Sequence, residues 1–305
     1  MRDDPTAAKP RRWRPRRGLL LAPALVLAGS LVLAPSALAN FLTPKSGGSP
    51  NADQIHSLYK VVLYIAAVVF VVVEGALAYS LYRFRAKRGA VAAQIHGNTT
   101  LEIGWTLAPA LILVVLAVIT FVKLPSIINP PDSGSHGLVL SASITAPSPP
   151  NGKTLTICVQ GRQYIWRYIY GSDCKTKSFE SKLPYSYQKM VVPADTTIVL
   201  DITASDVIHS WWVPSLGGKV DAVPGYTTYT WFRAPHAGSL YHGQCSQLCG
   251  VGHAAMTALV QVVSPAQYAA WSAQQSKAIA TANAQVTQLR QVLTANGNLS
   301  ANGTP

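Results

Sequence analysis

Three apolar stretches occupy the first part of the chain, and a shorter, alternating rhythm replaces them further on. The first stretch runs from Gly18 to about Pro35. It follows a basic segment holding Arg11, Arg12, Arg14, Arg16 and Arg17, and it precedes the small residues Ala37-Leu38-Ala39. Basic segment, apolar run and small residues in that order predict a secretory signal peptide over 1–39, with the mature chain starting at Asn40. The alternative is an uncleaved third membrane span. The second stretch, Val61 to Tyr82, is broken only by Glu74, and the third, Ile103 to Val122, carries no charge. Each is long enough to cross about 30 Å of hydrocarbon at about 1.5 Å per helical residue. Pro109 lies inside the third, where neighbouring helices absorb a kink. The connection between them holds Arg83, Arg85, Lys87 and Arg88. Such a basic connection belongs in the cytoplasm, which puts everything after Lys123 on the outer face. A transmembrane helical hairpin is therefore expected over 40–127, with spans at about 61–82 and 103–122. Glu74 is costly at that depth unless paired or protonated, so it is either functional or turned toward a partner helix.

After the hairpin the pattern changes. Residues 124–152 are rich in Pro, Ser and Gly and read as a linker with one strand, Leu138 to Ile144. From Thr154 to Val263, β-branched and aromatic runs alternate with Gly, Pro, Asp and Ser turns; TLTICVQ, QYIWRYIY, YQKMVVP, TTIVLDIT, YTTYTWF and MTALVQVV are the clearest. Roughly seven short strands over this length predict an all-β antiparallel sandwich, with its domain at 128–267. From Pro265 the chain turns to Ala and Gln, which predicts a helix to about residue 295 and a frayed end, a helical then disordered tail over 268–305.

Composition supports the membrane reading: 49% of the 305 residues are hydrophobic and 12% charged, too apolar for an ordinary soluble protein. The formal charge of +13 misleads as it stands. Residues 1–39 hold seven basic and two acidic groups, so the rest carries +8, and four of those charges sit in the cytoplasmic connection. The outer part is weakly basic, with no Lys or Arg run interleaved with aromatics, which excludes nucleic acid as a partner.

The densest chemistry lies between Cys245 and Met256, in CSQLCGVGHAAM, with His209 upstream in DVIHSWWVP. Two thiols, an imidazole and a thioether on one short loop suit a soft, redox-active metal. Cys249, His253, Met256 and His209 would complete a blue-copper set. Cys245 goes beyond it, because two thiolates four positions apart can each bridge the same pair of copper ions. A plain disulfide between Cys245 and Cys249 is the bland alternative in an exported domain. Cys158 and Cys174 fall outside this inventory, and either pair as a disulfide around the aromatic segment or stand as buried free thiols. His236 and His242 are expected in turns and His56 and His136 in solvent. Trp211 and Trp212 pack over the site or in the core.

The loop resembles the copper loop of subunit II of haem–copper cytochrome c oxidases, usually Cys-Ser-Glu-x-Cys-Gly-x-x-His-x-x-Met. HGNTTLEIGWTLAPALIL is similar to the start of that family's second membrane helix, GRQYIWRYIY to its aromatic segment and DVIHSWWVPSLGGKVDAVPG to its first copper-ligand segment. The resemblance implies a two-helix transmembrane hairpin followed by an all-β exported domain, a cupredoxin-like Greek-key barrel. It implies two copper ions, the CuA centre, held by the side chains of His209, Cys245, Cys249, His253 and Met256 and by the backbone carbonyl of Gln247. The family accepts electrons from cytochrome c there and passes them to haem in subunit I, for oxygen reduction coupled to proton pumping. The expected partners are subunit I, subunit III and a cytochrome c or cytochrome c domain. The expected place is the bacterial inner or plasma membrane, crossed twice, with the copper domain on the periplasmic or extracellular face.

Two departures matter. The family's Glu at the position of Gln247 also binds magnesium at the contact with subunit I; an amide removes the anionic oxygen a hard cation prefers, which weakens the magnesium expectation. The family's exposed Trp, through which the electron arrives, is matched by Tyr164, with Trp166 the next aromatic along. Glu102 resembles the family's carboxylate at the mouth of a proton-uptake path, although a carboxylate at a helix start also fits the helix dipole alone. Past residue 132 the acidic groups are Asp173, Glu180, Asp195, Asp201, Asp206 and Asp221, few for a docking face that steers a basic donor. The spans hold no haem-ligand histidines, so oxygen reduction belongs to a partner. Two other functions compete: the electron-accepting subunit of a different haem–copper enzyme, such as a nitric oxide reductase, and a membrane-tethered carrier of a single copper.

Overall fold

The structure, a computed structural model, describes residues 42–85, 94, 97–130, 154–171, 174 and 183–296. The expected signal peptide, His136, the strand at 138–144 and the chain past residue 296 lie outside the described residues.

Helix α1 (Pro50–Arg83, 34 residues) and helix α2 (Thr99–Ile128, 30 residues) contain the two expected spans and extend beyond them. At about 1.5 Å per residue α1 is longer than the hydrocarbon core is thick, so its first turns stand clear of the membrane. Both start where the sequence allows. Pro50 follows Ser49 at the first position of α1, and the Asn98 side chain accepts from Leu101 N–H at 3.2 Å at the head of α2. The large apolar side chains of both helices, Phe70, Val71, Leu111 and Leu113 among them, are exposed. Surfaces of that kind need lipid or another subunit's helices around them.

The outer ends of the hairpin are fastened to the β-domain. Buried Asn51 donates to the carbonyl of Trp231 at 2.7 Å, and Ser49 Oγ accepts from Arg233 N–H at 3.0 Å while donating to Asn51 Oδ1 at 2.6 Å. From α2, the Ile127 carbonyl accepts from the Trp231 indole at 3.0 Å. Gly217, at φ +151, leaves room for the Asn51 amide, which a Cβ there would meet at 2.7 Å.

The β-domain is a sandwich of two five-stranded sheets. One has the order β3 (Tyr185–Tyr187), β2 (Ile165–Tyr170), β1 (Thr154–Arg162), β5 (Thr197–Ala204), β8 (Thr228–Arg233). The other runs β4 (Lys189–Pro193), β10 (Thr257–Val263), β9 (Leu240–Cys245), β6 (His209–Trp212), β7 (Val220–Ala222). The expectation of a purely antiparallel sandwich needs correcting, because β1 runs parallel to β5 and β10 parallel to β4. The chain changes sheets between β3 and β4, β4 and β5, β5 and β6, β7 and β8, and β8 and β9, and the parallel pairs arise where β5 returns beside β1 and where β10 comes to lie beside β4. These are the Greek-key crossings of a cupredoxin-like barrel. Alternation along β10, where Ala258, Val260 and Val262 are buried, shows how period-two patterning fills the space between the sheets. Trp166, Tyr168, Trp211, Ile157 and Leu200 form the centre.

Cys158, on β1, is bonded to Cys174 as a disulfide, which closes the alternative of two buried free thiols. Helix α3 (Pro265–Ala295) begins with a capping box between Ser264 and Gln267. Its first turns pack Tyr268 and Trp271 on Tyr170, with the Trp271 and Tyr170 rings 4.9 Å apart.

Candidate metal centre

The two segments expected to carry ligands meet because β6 pairs with β9. Trp211 lies opposite Cys245 in the ladder, so His209, at the start of β6, is brought beside the loop that follows β9. His209 is fully buried. Its ring meets Trp166 edge-on at 5.9 Å and lies against Gly161, where a Cβ would come within 2.9 Å of it. Its two nitrogens have separate duties. Nε2 lies 2.9 Å from Asp206 Oδ1, and Nδ1 lies 3.9 Å from Cys245 Sγ. The carboxylate thus holds the Nε2 proton and leaves Nδ1 as the nitrogen free to bind a metal. Burial opposes the charge on Asp206, but the Gln163 and Val207 N–H groups and His209 outweigh it and hold the carboxyl below its usual range.

The loop supplies the rest. Cys245 Sγ is 3.2 Å from the Gln247 carbonyl oxygen, and the two cysteine sulfurs are 3.9 Å apart as free thiols. The disulfide alternative for this pair is not what the structure shows. Cys249 Sγ is 3.6 Å from His253 Nδ1 and 4.0 Å from Met256 Sδ. Burial first, and then Cys245 alongside, push the Cys249 thiol above its ordinary range; a bound cation would reverse this by favouring the thiolate. His209, Cys245 and Cys249 offer donor atoms all within 4.8 Å of one another. Donors bound at about 2.0–2.3 Å to one tetrahedral metal sit roughly 3.5 Å apart, so these separations suit a metal-binding arrangement. The donor set is soft and suits copper.

The loop's glycines serve Tyr164. A Cβ on Gly250, at φ +132, would come within 2.6 Å of Tyr164 Oη, and one on Gly252 within 2.5 Å of its ring. Half-buried Tyr164 therefore lies across the copper loop. Trp166, the other aromatic considered for electron uptake, is fully buried beside His209 and offers a donor no surface. Trp211 is a core residue stacked on Phe232, while Trp212 is half-exposed under Lys219. Exposed His236 lies in the connection between β8 and β9, whereas exposed His242, expected in a turn, lies on strand β9. Glu102 stands exposed in the first turn of α2, its carboxylate 3.4 Å from Asn98 N. The roles of Asp206, Gln163 and Gly161 beside His209 are not legible in the sequence. The carboxylate three positions before His209 in DVIH was the one available signal.

Residues 38–122 match the family described as Cytochrome C oxidase subunit II, transmembrane domain, and residues 155–263 match Cytochrome C oxidase subunit II, periplasmic domain. A probable cytochrome c oxidase subunit 2 of Rickettsia bellii is 34% identical over 268 residues, covering 84% of this chain and 92% of the relative. The chain belongs to the cytochrome c oxidase subunit II family. The cytochrome c oxidase subunit 2 of Cereibacter sphaeroides is 35% identical over 264 residues, 75% of this chain and 80% of that one. The solved periplasmic domain of subunit II of the Bradyrhizobium japonicum cytochrome oxidase is 32% identical, spans 41% of this chain and 95% of its own, and superposes with a TM-score of 0.35. As a member of the cytochrome c oxidase subunit II family, the chain is a membrane component of an oxidoreductase complex, with its β-domain on the outer face. The family is copper-binding, and the cysteine and histidine cluster of this chain is an arrangement that could hold a metal.

Proposed function

We propose that this chain is the electron-accepting subunit of a proton-pumping cytochrome c oxidase and that its site holds two copper ions. The observation that carries the reading is the division of the donors into two sets. His209 and the Gln247 carbonyl gather about Cys245, while His253 and Met256 gather about Cys249, and the two sulfurs lie 3.9 Å apart between them. A single copper would leave one of these sets idle. Two coppers held by both thiolates and these two sets would supply a one-electron couple in which the charge is shared.

The chain's own residues do the remainder. Asp206 orients His209, buried Trp166 and Gly161 fix its ring, and the two cysteines close the site from the loop. Tyr164 covers the loop's outer surface and is the point where an electron from a cytochrome c reaches it. Val207 and Ile208, next to Asp206 in the chain, and Leu248 and Val251, on the loop that Tyr164 crosses, are exposed aliphatic side chains of the kind that a docking protein covers. The electron then passes to haem in subunit I, with subunit III a further partner, and Glu102 marks the cytoplasmic mouth of a proton path. The exposed Gln247 side chain offers an amide where a hard cation prefers a carboxylate, which weakens the site for a magnesium ion at the contact with subunit I.

Metal analysis and low-temperature electron paramagnetic resonance of the purified complex test this. Two coppers per chain and a hyperfine pattern from two equivalent nuclei are expected. One copper with a single-nucleus pattern would favour a mononuclear carrier, and reduction of nitric oxide without oxygen would favour the other haem–copper enzyme.

A further inference from the structure

One residue outside the donor cluster is bonded to both of the segments that carry the donors. Gln163 sits in the turn between β1 and β2, immediately before Tyr164. Its side-chain amide donates to the Cys249 carbonyl at 2.7 Å, across 86 residues of sequence. Its backbone N–H donates to Asp206 Oδ2 at 2.8 Å, across 43 residues. The other oxygen of that carboxylate accepts from Val207 N–H at 2.7 Å and meets His209 Nε2 at 2.9 Å. A Cβ on Gly250 would come 3.0 Å from the Gln163 amide as well as touching Tyr164, so the loop passes close over both residues.

We propose that Gln163 is a positioning residue that locks the electron-receiving Tyr164 to both copper-ligand segments at once. Through the Cys249 carbonyl it holds the loop that bears Cys245, Cys249, His253 and Met256. Through Asp206 it holds the segment that bears His209. Two segments joined only by their ladder contact would be free to part at the loop end. A bridge from a third element fixes their spacing, and it places Tyr164 on the loop by the same bonds. Packing offers no other reason for this residue, because Gln163 is exposed and contributes nothing to the core. The inference rests on the copper reading above and on Tyr164 receiving the electron.

Two substitutions in the intact oxidase complex test it. Gln163→Met keeps the length of the side chain and loses the donor, whereas Gln163→Lys keeps a donor on a chain of comparable reach. The Met variant is expected to lose copper to a chelator about tenfold more readily, the usual effect of removing a partner that holds a ligand in place. It should shift the thiolate-to-copper absorption bands and slow reduction by cytochrome c, while a small soluble reductant that needs no docking still works at the normal rate. The Lys variant should stay close to the unsubstituted protein in all three. Unchanged behaviour of the Met variant would overturn the proposal. So would equal impairment of both variants, which would make the side chain a packing element only. Copper counted in the unsubstituted complex tests the dinuclear reading by itself, and the ratios between variants test Gln163, so the two fail separately.

Discussion

On the proposed reading, Gln247 serves the site through an atom that every residue has. Its side chain is exposed, and its carbonyl oxygen, 3.2 Å from Cys245 Sγ, points into the donor cluster. Gln247→Ala should therefore leave the copper absorption of the purified complex nearly unchanged, since the backbone and its carbonyl stay in place. A bleached or strongly shifted spectrum would make the amide itself a ligand. The same contrast explains what could be read from the sequence at this scale. Cys245, Cys249, His253 and Met256 declare themselves because four soft donors share one loop, and soft donors in such a crowd have few other uses. Asp206 and Gln163 do not, because each is an ordinary polar residue on an exposed turn. Their value appears only when the fold brings Gln163 to Cys249 and Asp206 to His209.

At the scale of elements, the strands that carry the ligands are among those the pattern does not announce, together with the three-residue β3 and β7. The sequence pattern predicts β1, β2, β5, β8 and β10 because their inward positions are apolar. β6 and β9 escape it: β6 is short and begins with a buried histidine, and β9 reads LYHGQC with only Cys245 buried. A strand whose inward side is given to ligands lacks the hydrophobic alternation that announces a strand. The run YQKMVVP hides another division, since Gln188, at φ 59, splits it between the sheets. Its N–H donates to Trp166 in one sheet and its carbonyl accepts from Leu259 in the other. Gly243, in β9, shows how tightly the ligand strands are joined. A Cβ there would strike the Trp212 carbonyl and approach Val213 Cγ2 to 2.6 Å. Gly243→Val should force β9 from β6 at a cost of about 1–3 kcal/mol. The measurement is the temperature at which the purified complex releases copper, which should fall; an unchanged release temperature would mean that the strands part without disturbing the site.

Over the whole molecule, a membrane hairpin legible from its hydropathy carries a sandwich legible from its alternation, but their attachment is not. Ser49 and Asn51 look like loop residues until Asn51 meets Trp231, 180 positions away. That attachment gives the copper face a fixed outlook from the membrane, and the charges on the face decide how a donor finds it. Among the described residues, Asp206 is already engaged by His209 and two backbone N–H groups, while Asp221 is exposed on β7. The loop that Tyr164 crosses instead presents aliphatic side chains, with Val251 fully exposed and Leu248 77% exposed. Docking on such a face gains little from long-range attraction, so the association rate should depend only weakly on ionic strength. Tyr164→Ala tests the same face from the other side. It removes the aromatic that lies across Gly250 and Gly252 while leaving every ligand in place. Reduction by cytochrome c should slow more than binding weakens, because one aromatic is only part of a docking patch. Stopped-flow reduction over an ionic-strength series reads both effects at once. A steep fall in rate with salt would point to paired charges at the contact. An undiminished rate in the Tyr164 variant would move electron uptake to another exposed group on the copper loop, with fully buried Trp166 excluded by its position.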